Sequence, residues 1–272
     1  MTRPSLTDFQ NIVWNYYQTS GRHDLPWRMP LTDGSFDPYR IMVSELMLQQ
    51  TQVLRVTPKY YEFLGRFPDV VALAEADLGQ VLTVWSGLGY NRRAKFLWQA
   101  AGSISQTFHG VFPDTPAGLV SLPGVGKNTA GAILAYAFNQ PVTFIETNIR
   151  SAYIHHFFAD QTYVADAAII ELVEQTLDHS NPREWYWALM DYGSYLKKTA
   201  GNASVRSLNY TKQSAFHGSR RQIRGQVLKC LTLGAASLSR LEHLIPDDRL
   251  PAVLDELLAE QLVHFESGYY RL

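Results

Sequence analysis

The sequence predicts an all-α body closed by a small C-terminal module, and three observations carry that expectation. Apolar residues recur at helical spacing as far as about residue 196. Strand-like alternation is scarce before the last ten or so residues. Clusters of Gly, Pro and Asp punctuate the helical stretches.

Taken in order, Thr7 can cap a first helix whose apolar face carries Phe9, Ile12, Val13 and Tyr16. Asp37-Pro38 breaks the chain, and Ile41, Ser44, Glu45, Leu48 and Gln49 fall in the next helix. Helical stretches follow at about 54–65, 69–74, 77–84, 91–106, 115–121 and 127–138. Three more are predicted at about 148–157, 164–178 and 182–196. Residues 199–217, rich in Ser, Asn, Thr and Gly, read as a connecting loop. Stretches 221–233, 238–244 and 250–262 then suggest three short helices, and 263–272 alternates around a turn like a β-hairpin. That order suggests a small winged-helix-like module, with a helical cap ending in a docked strand as the alternative. No internal repeat or low-complexity tract is present.

At 272 residues the chain has room for one large domain or two modest ones. A hydrophobic share of 46% supports a buried core, and 18% charged residues is too few for a disordered chain. A net charge of −1 argues against a generic nucleic-acid coat. The charges are unevenly placed, however. No acid lies between Asp191 and Glu242, whereas Lys197, Lys198, Arg206, Lys212, Arg220, Arg221, Arg224, Lys229 and Arg240 do, which favours a polyanionic partner. Cys230 is the only cysteine, which excludes an internal disulfide and a multi-cysteine metal or iron–sulfur site. It falls at an apolar helical position and is expected in the core. The first residues lack a signal-peptide stretch and no segment is apolar enough to span a membrane, so a soluble, cytoplasmic protein is expected, nucleoid-associated if prokaryotic.

Residues 122–131, Leu-Pro-Gly-Val-Gly-Lys-Asn-Thr-Ala-Gly, read as a glycine hairpin running into a helix. Gly124 and Gly126 can take angles closed to other residues and present bare N–H groups at a helix start, which binds phosphate without needing a particular base. Alone, such a motif is equally a plain helix–helix turn. Two carboxyl groups stand out. Glu45 sits on a helix wrapped by Ile41, Met42, Leu46, Met47 and Leu48, and is either an ordinary surface residue or a partly buried carboxyl whose raised pKa keeps it protonated as a general acid. Glu146 stands where an apolar run ends and a helix begins, and it serves either as a cap or Arg150 partner, or as a second, ionised carboxylate. Two carboxyls in different settings are the logic of glycosidic-bond cleavage. His155-His156 lacks nearby ligands, and adjacent helical positions diverge by about 100°, so metal ligation is not expected. Trp85, Trp98, Trp185 and Trp187 read as core aromatics.

The segments SELMLQQTQV, WSGLGYNRRA, LPGVGKNTAGAIL and ETNIR, in this order over about residues 8–196, resemble the helix-hairpin-helix DNA glycosylases, and specifically their MutY-like adenine glycosylase branch. The resemblance implies an all-α, two-lobed body over 1–198, with DNA and the flipped base in the cleft between lobes, then a basic loop over 199–217 and the winged-helix-like module over 218–272. It makes Glu45 the group that protonates the departing base, Glu146 the group that stabilises the oxocarbenium-like sugar or forms a transient link with it, and Asn148 a positioning residue. Gln50 would insert into the base stack and Tyr90 would wedge beside the opposing base, offsetting part of the cost of flipping. Gly124, Gly126, Lys127, Asn128 and Thr129 would hold the DNA backbone. Arg28, in Leu25-Pro26-Trp27-Arg28, matches a segment near the base pocket.

Departures refine that picture. Asn128 stands where bifunctional relatives carry a Schiff-base lysine, which implies a monofunctional enzyme using water. The family aspartate is Glu146 here, one methylene longer. Asn91 stands where a second tyrosine is common, and Lys197 stands about where the first of four cluster cysteines would be. No cofactor is therefore expected, and a monovalent cation at the hairpin is the one ion the resemblance allows. The partner is expected to be duplex DNA with a mismatched or damaged base, bound by a monomer. A thymine or uracil mismatch glycosylase and a catalytically impaired DNA-binding protein are the alternatives.

Overall fold

A computed structural model of the protein describes residues 3–272. Its helices are α1 (Leu6–Ser20), α2 (Pro38–Leu48), α3 (Val53–Arg66), α4 (Val70–Ala74), α5 (Leu78–Trp85), α6 (Arg92–Thr107), α7 (Pro116–Val120), α8 (Lys127–Phe138), α9 (Thr147–Phe157), α10 (Asp166–Thr176) and α11 (Pro182–Thr199). Short 3₁₀ turns occupy Pro26–Arg28 and Ala203–Arg206. The tail continues as α12 (Arg220–Leu231), β1 (Ala236–Ser237), α13 (Leu238–Leu244), α14 (Leu250–Ala259), β2 (His264–Glu266) and β3 (Tyr269–Arg271). The fold is all-α, as the periodicity predicts.

The chain forms two compact units. The first takes residues up to Ile41, Asp114–Ser121 and Val125–Lys212; the second takes Met42–Pro113, Leu122–Gly124 and Gln213–Leu272. The backbone therefore changes unit within α2 and again inside the glycine hairpin.

In the first unit the core is aromatic. Phe9 of α1 is fully buried and meets the rings of Tyr153 at 4.9 Å and Phe157 at 5.1 Å, beside the buried Trp185 of α11. Offset and edge-to-face pairs of this kind add roughly 0.5–1.5 kcal/mol each beyond area burial. α11 lies so close to α9 that a Cβ on Gly193 would stand 2.0 Å from the carbonyl oxygen of Asn148. Only glycine permits that approach, and it seats the first turn of α9 on α11.

In the second unit Phe63 of α3, Trp85 of α5 and Leu97 of α6 are fully buried. The tail packs Val227 and Leu228 of α12 against α14, which carries Val253 and Leu257. Arg220 and Arg224 pair with Glu256 and Glu260 at 2.5 Å along the same seam. The sheet runs β1-β3-β2, antiparallel, with Ala236 and Phe265 both registered on Tyr270. Helix, strand, two helices and two strands is a winged-helix-like order. Lys95 of α6 donates to the Glu260 carbonyl at 2.6 Å and so holds the tail within this unit.

The differences from expectation are local. Ser5, not Thr7, caps α1 by accepting from the Asp8 N–H. Ile12 is 38% exposed, while Tyr17 completes the buried stripe with Phe9 and Val13. The strand β1 is two residues long, too short to alternate visibly. Cys230 is half-buried rather than in the core, because the buried face of α12 runs through Ile223, Val227, Leu228 and Leu231.

Candidate functional site

The hairpin is held from both sides of its turn. Leu122 and Val125 are buried, and Gly124 turns the chain at φ +77° with Phe96 so close that a Cβ would stand 2.5 Å from the Phe96 Cβ. Gly126 differs from the expectation. It adopts φ −83°, an ordinary extended angle, and a Cβ there would meet no atom within 4 Å. Its value is the open space it leaves at the start of α8. Lys127 and Asn128 are exposed there, whereas Thr129 begins a run buried through Ala137. A helix buried this completely anchors its N-terminus, whose first N–H groups have no intrahelical acceptor. The Asn128 side-chain oxygen accepts from the Ile145 N–H at 3.5 Å and ties this turn to the chain entering Glu146.

Glu146 occupies the N-cap of α9 but makes no capping hydrogen bond with its side chain. Nor does it hold Arg150, whose guanidinium forks onto Asp166 at 2.8 and 2.7 Å. The Glu146 side chain thus makes neither of the two structural bonds weighed for it. Burial raises its carboxyl above the usual carboxylate range, with the Arg150 charge opposing. Asn148, half-buried in the next turn, accepts a hydrogen bond from Lys197 at 3.3 Å. Glu45 belongs to the second unit, half-buried among the fully or nearly fully buried Met42, Leu46 and Met47.

Gln50 and Tyr90 share an unusual backbone. Gln50 follows the end of α2 at φ +58° and Tyr90 precedes α6 at φ +49°, left-handed conformations that cost a non-glycine residue about 1–3 kcal/mol each. One side chain that sequence reasoning missed holds both. Arg93, only 8% exposed, donates to the carbonyls of Leu46 (2.6 Å), Met47 (3.0 Å) and Gln49 on one side. On the other it reaches the carbonyls of Leu88 and Gly89 at 3.4 and 3.0 Å and, at 3.1 Å, the Thr51 hydroxyl. Its Nε reaches the Tyr90 carbonyl at 3.4 Å. The guanidinium also satisfies the orphan carbonyls at the C-terminus of α2, where a cation is favourable. Burial lowers its pKa only to about 10, which leaves it charged at neutral pH. The Gln50 side chain accepts from Gln213, and the Tyr90 hydroxyl accepts from Arg221, both from the tail segment.

Arg28 lies deeper than its proposed base-contact role implies. It is 6% exposed, forks onto Asp191 at 2.8 and 2.9 Å, donates to the Arg22 carbonyl and lies over the Trp187 ring. Only its Nε is left without a hydrogen bond. Burial alone would raise the Asp191 carboxyl, but Arg28 and Arg22 more than reverse that and hold it below the usual range. The basic stretch is also less bare than its sequence, because folding supplies acids and carbonyls from elsewhere. Arg220 and Arg224 meet Glu256 and Glu260, and Arg206 donates to the carbonyls of Phe158 and Ala159. Lys198, Lys212, Lys229 and Arg240 stay exposed. A four-cysteine cluster has no donor set in a chain whose one cysteine is Cys230, and among the described residues no group of three or more His, Cys, Asp or Glu is placed to hold a metal. His156 instead shares a 2.8 Å hydrogen bond with the Tyr192 hydroxyl. No helix of the described residues is long and apolar enough to cross a membrane.

An all-α chain with a glycine hairpin feeding the buried α8, followed by an acid heading the next helix, defines a helix-hairpin-helix protein. Residues 43–175 match the model of the HhH-GPD superfamily of base excision DNA repair proteins. The chain is 30% identical over 279 residues to an adenine DNA glycosylase of Mycolicibacterium smegmatis, covering 95% of this chain and 93% of that one. It is 35% identical over 192 residues to one from Buchnera aphidicola subsp. Baizongia pistaciae, covering 69% of this chain and 52% of the relative. The chain spans about half the length of the first such relatives it matches. A thermostable thymine-DNA glycosylase structure superimposes with a TM-score of 0.61 at 23% identity, over 70% of this chain and 86% of that one, which establishes the shared fold. The chain belongs to the helix-hairpin-helix superfamily of base excision DNA repair proteins.

Proposed function

We propose that this protein is a monofunctional DNA glycosylase that flips a mispaired adenine out of duplex DNA and hydrolyses its N-glycosidic bond. The observation that carries the reading is the state of Glu146. Its carboxyl heads α9, neither caps the helix nor pairs with Arg150, and holds its proton above the usual range. A carboxyl kept out of capping and ion pairing is left for chemistry: its raised pKa suits proton transfer, and stabilising a developing positive charge uses the ionised form, which burial makes harder to reach. Relatives named adenine DNA glycosylase support adenine as the base.

In this reading Glu45 protonates the departing adenine and Glu146, positioned with Asn148, stabilises the developing positive charge on the sugar and directs water to it. Water is the nucleophile because Asn128 offers no amine. Backbone N–H groups around Gly124 and Gly126, with Lys127, hold a phosphate. Gln50 and Tyr90 enter the stack on loops already locked by Arg93. The protein acts as a monomer, without a metal cluster, in the compartment that holds the genome.

The test incubates purified protein with duplexes that each bear one mispaired or damaged base, then cleaves abasic sites with alkali. Breaks at adenine, lost in Glu45→Gln, are the expected result. Cleavage confined to thymine or uracil opposite guanine would move the substrate to the pyrimidines. Tight binding without cleavage on any duplex would leave a DNA-binding protein. Borohydride is expected to trap no covalent adduct, and a strong adduct would put a lysine in the reaction.

A further inference from the structure

A cavity of about 900 Å³ lies wholly within the second unit, within the ~300–1,000 Å³ range of small-molecule sites. Tyr90, Phe96 and Phe216 give it aromatic faces, and Arg92, Arg221 and Lys229 give it cations. The acid on its wall, Glu260, is taken by Arg224 at 2.5 Å. The candidate catalytic residues Glu45, Glu146 and Asn148 are not among the described residues that line it. Gln50 and Tyr90, both held at left-handed angles, are. From the tail, Arg221 donates to the Tyr90 hydroxyl and, at 2.7 Å, to the Ser214 carbonyl, with its guanidinium 5.6 Å from the Tyr90 ring centre. Phe216 is 56% exposed, a large ring left on the surface beside these cations.

Aromatic faces interleaved with unneutralised arginine and lysine match the chemistry of an unstacked nucleotide, whose base stacks and whose phosphate pairs. We propose that this cavity receives one unstacked DNA nucleotide adjoining the base that is excised, with the C-terminal module supplying its second wall. The inference rests on the reading of the chain as a base-flipping protein. A nucleotide displaced by Gln50 and Tyr90 finds the cavity beside them, and Arg221 exchanges the Tyr90 hydroxyl for a phosphate or base edge. The module thereby meets DNA through α12 and the segment before it. Its third helix, α14, carries no lysine or arginine, and Glu256 on it and Glu260 after it are paired with Arg220 and Arg224, so α14 offers no cation to the phosphate backbone. The nucleotide comes from the strand facing the excised base or from the neighbouring position in the same strand.

The experiment uses the full chain and two duplexes with one mispaired 2′-fluoro-deoxyadenosine, which resists cleavage. One carries photoreactive 6-thioguanine opposite the adenine, and the other carries it beside the adenine in the same strand. A crosslink to Tyr90 or Phe216 is expected from one of the two and identifies the source. Arg221→Ala and Phe216→Ala are expected to lower the preference for mispaired over matched duplex about tenfold, as loss of one stacking or charged contact does, whereas Arg240→Ala leaves it unchanged. Crosslinks confined to other segments, or an unchanged preference in both variants, overturn the proposal. Excision of adenine with neither result sinks the cavity alone, and crosslinking without excision on any duplex sinks the glycosylase reading alone.

Discussion

Lys197 donates a 3.3 Å hydrogen bond to the side-chain oxygen of Asn148, across a helix pair that only Gly193 allows to pack so closely. The lysine is half-buried, and burial lowers its pKa. A hydrogen bond to a charged group contributes about 1.5–3 kcal/mol. Lys197→Met is therefore expected to lower the single-turnover excision rate roughly ten- to hundredfold. Affinity for an uncleavable duplex should stay within a factor of about two, since Lys197 acts through Asn148 and not on phosphate. An unchanged rate in the folded variant would show that Asn148 needs no such support.

Arg93 couples two loops that the sequence separates by forty residues or so, and Lys cannot replace it. Arg93→Lys keeps the charge but loses the planar fork that spans the carbonyls on both sides. Gln50 and Tyr90 then relax from their left-handed angles. Misplacement of about 1 Å can cost 10²-fold in rate, and a loss of this order is expected in base flipping, read by 2-aminopurine fluorescence beside the adenine. Thr51→Val removes a single acceptor at the edge of the same clamp and is expected to give a smaller loss with little change in Tm. Full flipping in both variants would mean the loops hold themselves.

Much of this architecture was legible in the chain because it depends on local pattern. The 3.6-residue period located α1 through α11, and the hairpin, Glu45 and Glu146 lay in short contiguous motifs. What escaped depends on contacts between distant segments. Arg93 was one of two adjacent arginines, and nothing in WSGLGYNRRA marks which of them turns inward to gather backbone carbonyls. Arg28 was placed near the base pocket by its own segment, and the ion pair it makes was not visible because Asp191 lies 163 positions away. The basic stretch looked free of acids because Glu256 and Glu260 arrive only when α14 packs on α12. Gly126 illustrates the converse, a glycine whose motif suggested special angles and whose backbone has none.

His156 provides a test of stability against pH. Burial, and then the neighbouring His155, lower its pKa from 6.5 to about 4. Between those values the unfolded chain binds the proton and the folded one does not, so stability rises with pH through this window. The contribution is fully present above about 6.5 and is lost as pH falls toward 4. Tm is thus expected to drop between pH 6.5 and 4, where protonation of the ring also competes with its 2.8 Å hydrogen bond to Tyr192. His156→Gln should flatten that slope. An equally steep slope in the variant would assign the acid sensitivity to other groups.

Glu146 joins stability and activity in one side chain. Its carboxyl is raised above 4.5 by burial, with Arg150 opposing. A carboxyl whose folded pKa is raised contributes stability below its unfolded value and loses it as pH rises through the folded value. At neutral pH the fold therefore bears the cost of burying either charge or an unfavourable proton equilibrium at this position. Glu146→Gln keeps the shape, removes the titration, and is expected to raise Tm at pH 7. The same change should lower excision about 10²–10³-fold, the scale of losing one electrostatic stabiliser of the transition state. If the ionised carboxylate is the working form, the wild-type rate climbs with pH along a limb displaced above the ordinary carboxylate range, and this limb vanishes with the Gln variant's residual activity. Single-turnover rates from pH 4.5 upward, paired with Tm at pH 7, check both halves. A Gln variant that is less stable and equally active would make Glu146 a structural residue and move the chemistry elsewhere.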